Sequence, residues 1–165
     1  RRGPHRAPQI PVGGCRGAKV APCPDPGAGV KKLAYYSYKF LIEKLAGSDF
    51  DRIKTHETGV QNILLYEFAK QGRPVFVAWR DAYGADAGAE KTITLSLPGI
   101  GVDRVKVTGA VPAFDADFQT PERRLDEKEY PQFFRSSVVP VSAGGSISIT
   151  LAASPVYIEP LYESR

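Results

Sequence analysis

KTITLSL, residues 91–97, alternates with a strict period of two: Ile93, Leu95 and Leu97 are interleaved with Thr92, Thr94 and Ser96. A chain whose side chains point alternately to opposite faces buries one face and wets the other only when it is a β-strand. The same pattern recurs in DRVKVTG, where Val105 and Val107 alternate with Lys106 and Thr108. It recurs again in SISITL, where Ile147, Ile149 and Leu151 alternate with serines and Thr150. One-face-buried strands of this kind belong to antiparallel sheets. VQNILLYEF (60–68) and PVFVAW (74–79) are more continuously apolar, as strands covered on both faces are, and the AKQGR between them reads as a hairpin loop around Gly72. SAGG (142–145) and ASP (153–155) mark two further turns. Eight strands are expected, at 51–55, 60–68, 74–80, 91–97, 104–109, 133–139, 146–152 and 155–159. Many short strands separated by turn signals favour an antiparallel β-sandwich over a barrel or an α/β fold. Residues 113–131, polar and charged, read as a long surface loop with at most a short strand.

One segment has a different period. KKLAYYSYKFLIEKL (31–45) places Lys32, Lys39 and Glu43 in one narrow stripe of a helix turning about 100° per residue. Leu33, Ala34, Tyr35, Tyr36, Tyr38, Phe40, Leu41, Ile42 and Leu45 occupy most of the remaining circumference, interrupted mainly by Ser37 and Lys44. Gly47 stands where a C-terminal cap is expected. A helix resting on a single sheet needs an apolar arc of little more than about 100°, and this one is roughly twice as wide. It expects neighbours on several sides. The mainly β chain is therefore preceded by one amphipathic helix, and the expected organisation is an irregular head at 1–29, a helix at 30–47, the sandwich at 48–160 and a short tail at 161–165.

Composition narrows the function classes. The 165 residues are 42% hydrophobic and 24% charged, as expected of about one globular domain. No apolar run approaches the roughly 18 residues of a membrane helix, so no membrane partner is expected. The head carries five of the 22 basic residues and one of the 18 acidic ones, which leaves residues 31–165 with 17 of each. A body of zero net charge lacks the basic stripe of a nucleic-acid groove. The head also holds six glycines, six prolines and no aromatic residue, too little apolar area to offset the entropy of ordering it. The head reads as a loop, a linker or sequence foreign to the fold, and the absence of methionine throughout the chain suggests a piece of a longer protein.

Catalytic constellations are scarce. Cys15 and Cys23, with His5 ten residues before the first, do not have the paired spacing of a zinc site; a loop disulfide or two idle thiols fit better. His56, in IKTHETG, has no nucleophile motif beside it and reads as a surface residue. Asp115, Asp117, Asp126, Glu127 and Glu129 sit in the expected loop as solvated carboxylates rather than a glycosidic acid/base pair. Asp81, Asp86 and Glu90 lack the EF-hand spacing for calcium. Neither catalytic residue, cofactor nor metal is assigned. Trp79 ends a strongly apolar strand and reads chiefly as a core or interface residue; with Tyr83 it is also a candidate carbohydrate contact. Eight tyrosines, three of them on the helix, suit a seam between domains, where a ring is buried and a hydroxyl stays polar.

Taken in order, KKLAYYSYKFLIEKLAG, ILLYEFAKQGRPVFVAW and SISITLAASPVYIEP resemble the C-terminal end of a clan-A-type (β/α)8-barrel glycoside hydrolase, over about residues 30–160. The resemblance implies a last barrel helix leading directly into a C-terminal β-sandwich. It implies that the two catalytic glutamates lie on barrel strands four and seven, upstream of this chain, where no residue here matches them. The implied function is a non-catalytic sandwich, inactive alone, whose partner is the barrel domain of the same parent chain. Leu33, Tyr35, Tyr36, Phe40 and Trp79 would be the barrel contacts. The alternative is a free-standing module that binds carbohydrate or another protein.

Overall fold

The computed structural model describes residues 33–82, 89–113 and 128–162. Helix α1 (Leu33–Leu45) comes first. Eight strands follow: β1 (Ser48–His56), β2 (Ile63–Lys70), β3 (Arg73–Arg80), β4 (Lys91–Ser96), β5 (Arg104–Gly109), β6 (Ser136–Pro140), β7 (Ser146–Leu151) and β8 (Val156–Pro160). Every expected strand is present, within a few residues of its expected ends. Six strands form one antiparallel sheet in the order β1-β2-β3-β8-β5-β6, and β4 pairs with β7 in a separate antiparallel ribbon.

The alternation seen in the sequence sets the layers. Ile93 and Leu95 of β4 and Ile147, Ile149 and Leu151 of β7 turn inward and meet Leu65, Phe76, Val105 and Ile158 of the large sheet in one buried cluster. Their neighbours Thr92, Thr94, Ser148 and Thr150 stay in solvent. Strand β3 alone shows four buried residues in succession, Val75 to Ala78. Phe76 and Ala78 join the cluster facing the ribbon, whereas Val75 and Val77 join a second cluster on the opposite face, under α1. A strand covered on both faces has no reason to alternate, which accounts for the unbroken apolar run of PVFVAW. The molecule therefore has three layers: helix, six-stranded sheet, two-stranded ribbon.

The turns follow their residues. Gln71 and Gly72 both have positive φ, +50° and +76°, between the paired Lys70 and Arg73, giving the tight two-residue hairpin that matches strand twist. Gly47, at φ +78°, ends α1 one residue after Ala46 N–H donates to the Ile42 carbonyl at 2.7 Å. One expectation is corrected. Part of the segment read as surface loop is core: Pro131 opens a 3-10 turn over Tyr130–Phe133, and Tyr130 is buried against α1 together with Phe134, a residue expected in the sixth strand. With those residues committed to the helix, β6 begins only at Ser136.

Candidate functional site: an apolar groove beside the helix

One flank of α1 is tied firmly to the sandwich. The Phe40 ring stacks on Phe134, with centroids 3.8 Å apart and planes 14° apart, and meets the Tyr157 ring edge-on at 5.7 Å. Tyr36 packs against Tyr130 at 5.8 Å. The polar stripe is used on this same side: the Tyr130 hydroxyl donates to the Glu43 carboxylate, and the Lys39 ammonium lies 4.7 Å from the Tyr130 ring centre. Burial, and then the adjoining Glu43 carboxylate, push the Tyr130 phenol well above its ordinary range. At the C-terminal end, Lys44 pairs with Glu159, and the Lys70 ammonium donates to the carbonyls of Glu43 (3.0 Å) and Lys44 (2.8 Å). A cation on orphan carbonyls at a helix C-terminus is favourably placed.

The opposite flank is different. Between α1 and the β1 edge of the large sheet runs an open groove of about 930 Å³. Its helix wall is Ala34, Ser37, Tyr38, Leu41 and Leu45; its floor is Tyr66, Phe68, Val77, Trp79 and Tyr157; Ala110, Val111 and Pro155 close one end. The far wall comes from an irregularity in β1. While β2 moves from Ala69 to Glu67, β1 advances from Asp49 to Lys54, and the extra residues form a bulge. The bulge sets Phe50 edge-on to Phe68 at 6.1 Å and carries Ile53 to the groove. Among the described residues no charged side chain lines the groove. Tyr157 beneath it has its phenol pushed up to about 12 by burial.

The exposed face of α1 continues this apolar surface. Tyr35, Tyr38 and Ile42, at i, i+3 and i+7, all point to solvent. The excess breadth of the apolar arc is thus real: it faces the sandwich on one side, the groove on another and solvent on a third. Of the five expected contact residues, Tyr36 and Phe40 are buried in the chain's own second cluster, Tyr35 is exposed, and Trp79 is half-buried in the groove floor. Leu33 begins the helix, and its side chain lies outside the described residues. Tyr38, Leu41, Ile53, Tyr66 and Phe68 belong to the same surface. Tyr38 was visible in the helix pattern, but Ile53 sits in the charged stretch DFDRIKTH, which has no period to mark it.

The remaining candidates divide simply. Trp79 stacks on Tyr66, with centroids 5.3 Å apart and planes 14° apart, while Tyr83 lies outside the described residues. His56 Nε2 and Lys54 Nζ each lie 2.8 Å from a different oxygen of Glu67, a cross-strand tie between β1 and β2. Burial raises the Glu67 pKa, but the hydrogen bonds from Lys54 and His56 outweigh it, and the net shift is downward. Asp81 N–H donates to the Asn62 carbonyl at 2.8 Å, and Glu90 and Glu129 are exposed. His5, Cys15, Cys23, Asp86, Asp115, Asp117, Asp126 and Glu127 lie outside the described residues. Among the described residues no group of three or more His, Cys, Asp or Glu side chains could hold a metal ion, and no helix is long and apolar enough to cross a membrane.

Neither a sequence family nor a curated protein matches the chain. Two solved structures are similar to it. One is a 4-O-α-L-rhamnosyl-β-D-glucuronidase from Fusarium oxysporum 12S, 18% identical with a TM-score of 0.48, covering 76% of this chain and 29% of that one. The other is a family 39 glycoside hydrolase from Bacteroides cellulosilyticus WH2, 13% identical with a TM-score of 0.42, covering 78% of this chain and 20% of that one. The chain spans less than a third of the length of either.

Proposed function

We propose that this chain is the non-catalytic C-terminal β-sandwich of a (β/α)8-barrel glycoside hydrolase, with α1 as the last barrel helix and the groove as the seat of the barrel domain. The observation that carries the reading is the apolar surface running from the groove across Tyr38 to Ile42, on a helix whose other flank is already anchored. Large contiguous apolar patches on a folded domain mark interaction surfaces. The motif order from KKLAYYSYKF to PVYIEP, resembling such hydrolases, supplies the kind of partner. Hydrolysis then belongs to glutamates on the barrel. The sandwich covers apolar barrel surface and shapes its flank.

The groove suits a protein better than a sugar. A sugar site combines an aromatic platform with several polar groups that fix the hydroxyls. Here Trp79 and Tyr66 offer the platform, but among the described residues that line the groove only Ser37, Tyr38, Tyr66, Trp79 and Tyr157 have a side chain with any polar atom. The stacked pair favours a carbohydrate-binding module as the second reading. Co-expression with the barrel domain encoded upstream separates the two. The chain is expected to copurify with the barrel, Tyr38→Lys to abolish capture, and the chain alone to leave aryl glycosides intact. Turnover by the chain alone, or polysaccharide binding lost in Trp79→Ala while the barrel is ignored, would overturn the proposal.

A further inference from the structure

We propose that, in the chain taken by itself, the groove and the outward ridge of α1 close on a second copy to form a two-fold symmetric dimer, the helix of each copy lying over the β1–β3 region of the other. The inference rests on the reading of this face as a docking surface, but names a different occupant. Helix α1 packs on Val75, Val77 and Tyr157, and the groove beside it keeps an apolar floor of Tyr66, Phe68, Val77, Trp79 and Tyr157 between the helix and Ile53 of the β1 bulge. The chain also carries an exposed apolar ridge, Tyr35, Tyr38 and Ile42, on the outer side of the same helix. A two-fold axis that seats one ridge in the partner's groove seats the other as well.

The area is sufficient. Tyr35, Tyr38 and Phe50 keep 40%, 64% and 59% of their surface in solvent, and Ile42, Ile53 and Val111 keep 51%, 41% and 41%. At roughly 200 Å² for an aromatic side chain and about 100 Å² for an aliphatic one, these six expose on the order of 450 Å². The half-buried Leu41, Tyr66, Phe68 and Trp79 bring the patch to about 600 Å², or about 1,200 Å² for two copies, which is the lower bound of specific stable interfaces. Charge does not oppose the pairing, because residues 31–165 carry 17 basic and 17 acidic side chains and, among the described residues, none of the charges lines the groove.

Sedimentation velocity of the full 165-residue chain over a dilution series tests the proposal. The expected result is a saturating transition from a monomer of 17.9 kDa to a species of twice that mass. Tyr38→Lys and Ile53→Lys, both at exposed positions and checked for unchanged circular dichroism, are each expected to weaken association about 100-fold, as loss of a central interface residue does. Val138→Lys, on the exposed face of β6, should leave it unchanged. A monomer throughout, open-ended association, or a dimer indifferent to both groove variants would each overturn the proposal. A monomeric chain that still captures the barrel sinks only the dimer; a dimer that ignores the barrel domain sinks only the barrel reading.

Discussion

Phe40→Ala tests whether α1 is a working part of the sandwich or an appendage. The ring is buried between Phe134, stacked at 3.8 Å, and Tyr157, edge-on at 5.7 Å. Its removal takes away one large side chain's transfer energy and two ring contacts, and leaves a cavity bounded by the rigid sheet. Phe→Ala changes in cores cost about 3–5 kcal/mol. The site lies under a single helix that can settle partly into the gap, so the lower end, about 3 kcal/mol, is expected. That is a large share of the roughly 5–15 kcal/mol that holds a domain folded. Urea unfolding followed in parallel by far-UV circular dichroism and by Trp79 fluorescence gives the test, because Trp79 is the chain's one tryptophan and sits in the sheet rather than the helix. Both transitions should move together to lower urea. A Trp79 transition shifted by less than about 0.5 kcal/mol, the size expected of surface changes, would refute the account of α1 as part of one cooperative unit.

Other substitutions have smaller, distinguishable effects. Tyr130→Phe keeps the ring packing and removes the hydrogen bond to Glu43, which should cost about 1 kcal/mol in urea titrations. Gly72→Ala puts a side chain at φ +76° with no steric neighbour near it, so the cost is the backbone's alone, about 1 kcal/mol, and a thermal melt should show it. Glu67 has its pKa held below the ordinary 4.5 by Lys54 and His56. A carboxyl depressed in the folded state contributes stability that is present above the unfolded value and is lost as pH falls through the folded one. The urea midpoint should therefore fall more steeply in acid for the native chain than for Glu67→Gln, and parallel curves would count against the cross-strand tie.

The strands were legible because period two survives wherever one face is wet: KTITLSL and SISITL pair with each other over six consecutive residues in the register their alternation implies. The breadth of the helix's apolar arc was legible too, as a need for several neighbours. What it could not show was the allocation of those sides. Lys39 and Glu43 look like a solvated stripe until Tyr130, remote in sequence, brings its ring beneath one and its hydroxyl to the other. Nor could a one-dimensional pattern reveal the groove's far wall. The bulge between Asp49 and Lys54 breaks the alternation that would have marked Ile53, and both neighbours of Phe50 are aspartates. Tyr130 itself was hidden in a segment whose charge suggested surface.

The central claim, that this apolar face is covered by the barrel domain of the parent protein, is tested most directly by thiol labelling at Ile53→Cys in a Cys15→Ser, Cys23→Ser background. The isolated chain, at dilutions where it is monomeric, should react rapidly with a maleimide at position 53, since the side chain is 41% exposed on the groove wall. In the parent polypeptide, with the upstream domain attached, the same thiol should be protected by about 100-fold or more, as a fully desolvated interface position is. Equal labelling rates in the two proteins would contradict the account.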